Sequence, residues 1–358
     1  MIETVIIFVV VLSLLVFVHE AGHFLAARLF GIGVEEFGFG FPPRAIGWRR
    51  GGTIYSLNWI PLGGFVKLKG ELNDQASPDA YLAKSKSRRL SVLAAGVVMN
   101  VVLAVLVFSI GYVFGLPRDL GNPLSPGAQV RERKLQIVAL VPNKPAAAAG
   151  FKIGDEILAT DGAVMITAQD FKNRLAERAG QSIAVTFRRE GKEMTAQVNP
   201  TILEETGKPG IGIGLLESGI VSYPWYLAPF AGARTTLEFG VEIFKAFGRL
   251  VASLVLTGRP GVDVSGPVGI AVLTGEVAKL GLVYLLQFVG LLSLNLAIIN
   301  VLPIPALDGG RILFLLIEAV RGRAVSAKIE GMIHQVGFAV LISLVAIVTV
   351  QDILRFIK

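Results

Sequence analysis

Residues 4–30 read TVIIFVVVLSLLVFVHEAGHFLAARLF, and this stretch decides the class of fold. It exceeds the roughly 20 apolar residues that a helix needs to cross a bilayer. Its only titratable members are His19, Glu20, His23 and Arg28. A secretory leader would carry a basic start and a small-residue cleavage site, and neither is present, so the stretch is read as a retained transmembrane helix.

Two further stretches, Ser91 to Leu116 and Leu280 to Leu302, contain no charged residue, and Ile333 to Gln351 forms a slightly shorter fourth. The composition agrees with a membrane protein. Of 358 residues 53% are hydrophobic and 17% charged, against about 25% charged in soluble domains. Such a chain is not disordered. Cysteine is absent, which excludes disulfides and thiolate metal sites. The formal charge of +7 is not gathered into the patch that a nucleic-acid partner would need. Much of the excess flanks apolar runs and sets orientation instead. Arg44, Arg49, Arg50, Lys67, Lys69, Lys84, Lys86, Arg88 and Arg89 lie between spans one and two, and Arg311, Arg321, Arg323 and Lys328 between spans three and four. Both loops are therefore expected in the cytoplasm, with the two termini and the long middle segment outside.

That middle segment alternates apolar and polar residues over Gln136–Val141 and Ser182–Arg188, with a turn at Gly191 and a helical window at Ala168–Ala179. A small α+β domain is expected over 117–205, followed by a linker and surface helix over 206–279. In that helix Glu238, Glu242, Lys245 and Arg249 share one face, the pattern of a helix lying in the interface. The first cytoplasmic loop is too apolar for a solvated linker. Phe37-Gly38-Phe39-Gly40-Phe41 and Ile54 to Lys69, broken at Pro61-Leu62-Gly63-Gly64, are expected to form a small sheet dipping into the membrane, where protein or a watery cavity satisfies its backbone. The outer blocks are then 1–116 with spans one and two, and 280–358 with spans three and four.

The strongest chemical signal is His19-Glu20-Ala21-Gly22-His23. Residues four apart share a helix face, so both imidazoles can hold one metal ion, with Glu20 about 100° round the axis as a base. Ionisable groups inside an apolar span are functional by default. The bland alternative is that the histidines bond neighbouring helices while Glu20 reaches the surface. A catalytic zinc site wants a third protein ligand and an open position. The candidates are His334, Asp308, Glu276, Glu318 and Glu330. Asp308 stands out in Asn300-Val301-Leu302-Pro303-Ile304-Pro305-Ala306-Leu307-Asp308-Gly309-Gly310, where prolines and glycines unwind the chain beside a charge-free helix. Its alternative role is an ordinary turn residue below the membrane.

Taken together, His-Glu-x-x-His in the first span and Asn-x-x-Pro-x-Pro-x-Leu-Asp-Gly-Gly at the third resemble the site-2 protease family of intramembrane zinc metalloproteases. Phe37 to Phe41 and Pro61 to Phe65 resemble that family's membrane-embedded strand and following loop, and Ser265-Gly266-Pro267-Val268-Gly269-Ile270 is similar to a segment of its bacterial regulator-of-sigma-E type. Pro145 to Ile157 is similar to part of a PDZ domain. Ala95-Gly96-Val97-Val98-Met99-Asn100 is similar to a Gly-Pro-x-x-Asn element, with Val97 in the proline position. The resemblance implies a polytopic α-helical membrane protein with four transmembrane helices, a membrane-associated β-loop and an inserted PDZ domain. It further implies zinc on His19, His23 and Asp308, Glu20 as the catalytic acid/base, and substrate contacts from Asn300, Gly38, Phe39 and Gly40. The implied partners are the lipid bilayer, a single-span membrane protein as substrate, such as an anti-sigma factor or a signal-peptide remnant, and an upstream site-1 protease. The implied location is a bacterial inner membrane. Two other classes compete: a zinc-dependent transporter, disfavoured because spans two and three lack charge, and a noncatalytic PDZ scaffold, which has no need of Glu20.

Overall fold

The computed structural model describes residues 2–71, 77–165, 167–204, 207–258, 265–323 and 325–357. In chain order, α1 (Ile2–Leu29) leads to two long strands, β1 (Val34–Arg50) and β2 (Thr53–Leu68), and to α2 (Lys86–Phe114). A sheet-rich segment follows: β3 (Leu116–Asp119), β4 (Gln129–Leu140), α3 (Pro145–Ala148), β5 (Glu156–Thr160), β6 (Ala163–Val164), α4 (Ala168–Glu177), β7 (Ile183–Arg189), β8 (Lys192–Val198), β9 (Thr201–Leu203), β10 (Lys208–Gly210) and β11 (Ile213–Ser222). The chain closes with α5 (Ala228–Thr257), α6 (Pro267–Leu280), α7 (Leu282–Val301), α8 (Asp308–Arg321) and α9 (Ala327–Ile357). Two compact units result, Met1–Gly111 with Pro229–Lys358, and Tyr112–Ala228.

Among the described residues four helices are long and apolar enough to cross a membrane: Ile2–Leu29, Lys86–Phe114, Leu282–Val301 and Lys328–Arg355. They are the four expected spans, and α2 runs unbroken past Val97. Helix α5 is not among them. It extends well beyond the charged stretch 238–249, because its first turns bury Ala231, Thr235 and Thr236. There Gly232 lets it approach α2, where a Cβ would meet the Ser109 backbone nitrogen at 2.8 Å. The N-terminus of α6 is capped from a distance: Gly269 N–H donates to Asp352 Oδ2 at 2.7 Å. This puts a buried acid where a helix presents unpaired N–H groups, and it accounts for the glycines of the 265–270 segment.

Strands β1 and β2 fold back on each other twice. Phe37 pairs with both Val66 and Tyr55, Gly38 with both Phe65 and Ser56, and Phe39 with both Gly64 and Leu57. The stretch 37–39 is thus flanked on both sides. Gly38 packs closely, since a Cβ there would lie 2.5 Å from the Phe65 ring.

In the second unit a seven-stranded sheet has the order β3-β11-β4-β5-β7-β8, with β6 beside β5. Alternate residues Ile183, Val185 and Phe187 of β7 point into a core with Ile137, Ile157, Phe171 and Leu175, the period-two pattern of a half-buried strand. The boundary expected between 205 and 206 lies outside the described residues. The stretch beyond it is nevertheless no linker: β11 pairs with both β3 and β4, so the sheet reaches Ser222. That expectation is corrected. Gly214 and Gly219 interrupt the alternation of β11, and its partners lie far away in sequence.

A candidate metal centre

On α1 the four-residue spacing of His19 and His23 points both imidazoles to one side, where the first residue of α8, Asp308, meets them. The two Nε2 atoms are 3.2 Å apart. Asp308 Oδ2 lies 3.0 Å from His19 Nε2 and 3.2 Å from His23 Nε2. Both histidines are buried. The chain before Asp308 is shaped to deliver it. Leu307 N–H donates to Ile304 O at 3.2 Å and Gly310 N–H to Leu307 O at 3.1 Å. Ala306 takes a left-handed φ of 79°, uncommon for a residue with a side chain. A Cβ on Gly309 would collide with the carbonyls of Val301 and Leu302, so the tight return into α8 requires glycine there.

Position separates the third-ligand candidates. His334 is not at the cluster. Its Nδ1 accepts a hydrogen bond from Ala306 N–H at 2.8 Å, so it braces the loop that carries Asp308. Glu318 is paired with Arg89 at 3.1 Å and ties α8 to α2. Among the described residues the grouping of possible metal ligands is His19, His23 and Asp308, with donor atoms all within 4.8 Å of one another.

Helix α2 forms the wall behind the histidines through Val92, Gly96 and Asn100, four residues apart and hence on one face. His23 Nδ1–H donates to Val92 O at 2.8 Å, which leaves Nε2 as the lone-pair nitrogen facing the cluster. Gly96 provides room: a Cβ there would collide with His23 Nε2 and lie 2.8 Å from His19 Nε2. Asn100 packs against His19 from the next turn. The sequence singled out Gly96 and Asn100 as part of a Gly-x-x-x-Asn stretch but not their contact with the histidines, although an Asn inside a charge-free span is itself a functional signal.

The donor set fits a zinc ion. Ligand atoms about 2.0–2.2 Å from one zinc stand roughly 3.3–3.5 Å apart at tetrahedral angles, close to the 3.0 and 3.2 Å found between these donors. Asp308 Oδ2 is buried and accepts no hydrogen bond of proper geometry. A buried carboxylate oxygen facing two imidazole nitrogens without such bonds is costly, and a shared cation removes the cost. Three ligands leave a fourth position open, the arrangement of catalytic rather than structural zinc.

A cavity of about 200 Å³ adjoins the cluster, lined by Glu20, His23, Phe65, Val66, Asp308 and Arg311 among others. Glu71 and Arg311 also line a second cavity of about 360 Å³ that includes Arg89, Glu318 and His334. Gly38, Phe39, Gly40 and Asn300 do not line the first cavity. The backbone of 37–39 is engaged on both sides, so Gly38 and Phe39 present no free strand edge to a substrate. The edge beside Glu20 belongs instead to the end of β2, around Phe65 to Leu68.

Comparison with known proteins gives the family. Residues 7–344 match peptidase family M50. A Clostridium perfringens protein, also named among zinc metalloproteases, is 37% identical over 345 residues and 96% of each chain. The zinc metalloprotease RasP of Geobacillus kaustophilus is 32% identical, covering 99% of this chain and 98% of its own. The regulator of sigma-W protease RasP of Bacillus subtilis is 30% identical over 99% of each. Among solved structures, the PDZ domain of an SdrC-like protein from Listeria monocytogenes is 25% identical and covers 24% of this chain and 92% of its own, with a TM-score of 0.23.

Proposed function

Since the chain belongs to peptidase family M50 and is an intramembrane zinc metalloprotease, we propose that His19, His23 and Asp308 hold the zinc and that Glu20 is its catalytic acid/base. The observation that carries this reading is the convergence of the three donors beside a carboxylate, on a helix apolar enough to cross a membrane. Zinc bound there supplies a Lewis acid that polarises a peptide carbonyl and makes water nucleophilic at neutral pH. Glu20 takes the proton from the attacking water and delivers it to the departing amine. The neighbouring cavity, which shares Glu71 and Arg311 with the first and is lined by both charged and apolar side chains, is the route by which water reaches the site.

The substrate in this reading is the transmembrane segment of a single-span protein, cut toward the cytoplasmic side. One relative's name, regulator of sigma-W protease, favours a membrane-bound regulator of a sigma factor, trimmed first by an upstream protease. The basic loops favour cytoplasmic ends for α1 and α2 at residues 29 and 86, with the sheet-rich unit outside. A peptide bond inside a helix is shielded by its own turn, so the segment must unwind before it is cut. Once extended it pairs with the edge of β2 near Phe65 to Leu68, which Gly38, Phe37, Glu36 and Val34 of β1 support from behind, with Phe39 next along the strand against Gly64 and Gly40 against Ile60.

Helix stability in the substrate then controls the rate. Gly costs a helix about 1 kcal/mol and Pro about 3 relative to Ala. A polyleucine span is expected to resist cleavage by the purified chain, and a Gly or Pro introduced near its cytoplasmic end to restore it. Equal cleavage of both spans overturns the unwinding step.

A further inference from the structure

Asn100 has no solvent exposure. Its Nδ2 lies 3.3 Å from His19 Nδ1, while its Oδ1 is buried and accepts no hydrogen bond. The residue is held from a second helix as well, since Ser293 Oγ of α7 donates to the Asn100 carbonyl at 2.7 Å.

An imidazole that binds metal through Nε2 carries its remaining proton on Nδ1 and must donate it to something. His23 donates to Val92 O. For His19 the neighbour at Nδ1 is the Asn100 amide, and an amide nitrogen accepts no proton. Turning the amide by 180° about its last torsion exchanges oxygen and nitrogen without changing its shape. The orphaned Oδ1 then receives the His19 proton, and both groups are satisfied.

We propose that Asn100 is a positioning residue of the metal centre, its side-chain carbonyl accepting Nδ1–H of His19 and so committing that ring to bind through Nε2. The two histidines are thereby held in the same manner by one face of α2, His23 through a backbone carbonyl at 92 and His19 through a side-chain carbonyl at 100. This rests on the zinc assignment made above. Outer partners of metal-binding histidines typically contribute 10- to 100-fold in metal affinity.

The test is zinc affinity, by chelator competition on the detergent-purified full chain, for the parent, N100L and N100D. Leucine matches the size of asparagine and can neither donate nor accept. Aspartate can accept but not donate. The expected result is a 10- to 100-fold loss in N100L and retained affinity in N100D. Parental affinity in N100L, or an equal loss in both variants, overturns the proposal. Should either variant fail to fold, the zinc-loaded parent still decides. With only 3 histidines in the chain, a ¹⁵N-histidine spectrum reads the His19 tautomer directly, and a proton on Nε2 overturns the proposal. A parent chain that binds no zinc refutes the metal assignment itself, a separate outcome.

Discussion

Replacing Gly96 with alanine adds one methyl group at the point where α2 meets the two imidazoles. A Cβ on Gly96 would collide with His23 Nε2 and stand 2.7 Å from His19 Cε1 and 2.8 Å from His19 Nε2. Ordinary contacts to carbon lie at about 3.5–4.0 Å, so the surfaces must separate by roughly 0.7–1.2 Å. Metal–ligand distances tolerate only about 0.2 Å. Whether the helices part or the rings rotate, the donors move several times further than a zinc site allows. Misplacement of about 1 Å costs on the order of 10²-fold in rate, and a comparable fall in zinc affinity is expected. The effect on the helix has the opposite sign, because alanine is favoured over glycine by about 0.8–1.0 kcal/mol in a helix interior. G96A should therefore fold, keep its helical content and lose zinc. The control is G240A on α5, where a Cβ meets nothing within 4 Å; it should raise the melting temperature slightly and leave zinc binding alone. Chelator competition and thermal melting on the two purified variants supply the readings. Parental zinc affinity in G96A would refute the close approach of α2 to the histidines.

The third-ligand assignment predicts unequal effects from two substitutions. D308N should weaken zinc binding by more than the roughly 10- to 100-fold typical of an outer partner, whereas H334A, which removes only the brace on Ala306, should fall within or below that range; the reverse order makes His334 the ligand. In the sheet-rich unit, burial pushes the Asp155 carboxyl up, but Arg189 donates to it twice at 2.7 Å and Lys152 N–H once at 2.8 Å, and together they hold it below its ordinary value. Its contribution is therefore fully present above the unfolded value of about 3.9 and is lost as pH falls through the native value. Hydrogen exchange in β7 should accelerate in that acid window, and D155N should exchange faster already at neutral pH, by the equivalent of about 1.5–3 kcal/mol. Unchanged exchange in D155N removes the pair from the unit's stability.

What could be read from the sequence was local. The spans follow from apolar length, and the pairing of His19 with His23 follows from one helical turn, so both are legible without any tertiary contact. Asp308 was legible through its unwound surroundings. That His334 instead accepts from Ala306 N–H was not legible, because it depends on how α9 packs against the loop before Asp308. The second pairing of Phe37 to Phe39 with Tyr55 to Leu57 arises because the β-loop folds back twice, which a single glycine-rich strand does not announce. β11 escaped notice for a related reason: its partners begin at residues 116 and 129, and its own glycines blur the alternation. Asn100 meets a histidine 81 residues away, so its role appears only when α1 and α2 lie side by side.

If His19, His23 and Asp308 hold the zinc and Glu20 moves the proton, E20Q separates metal binding from catalysis. The measurement is zinc content and cleavage of a single-span substrate by the detergent-purified parent and E20Q chains, before and after chelation and zinc return. The parent should contain zinc, cut within the substrate's span, stop on chelation and recover when zinc is restored. E20Q should contain the same zinc and cut about 10²- to 10⁴-fold more slowly, since the amide keeps the shape of the carboxylate but cannot carry the proton. Cleavage by E20Q at the parental rate, or by the parent after its zinc has been removed, would contradict the account.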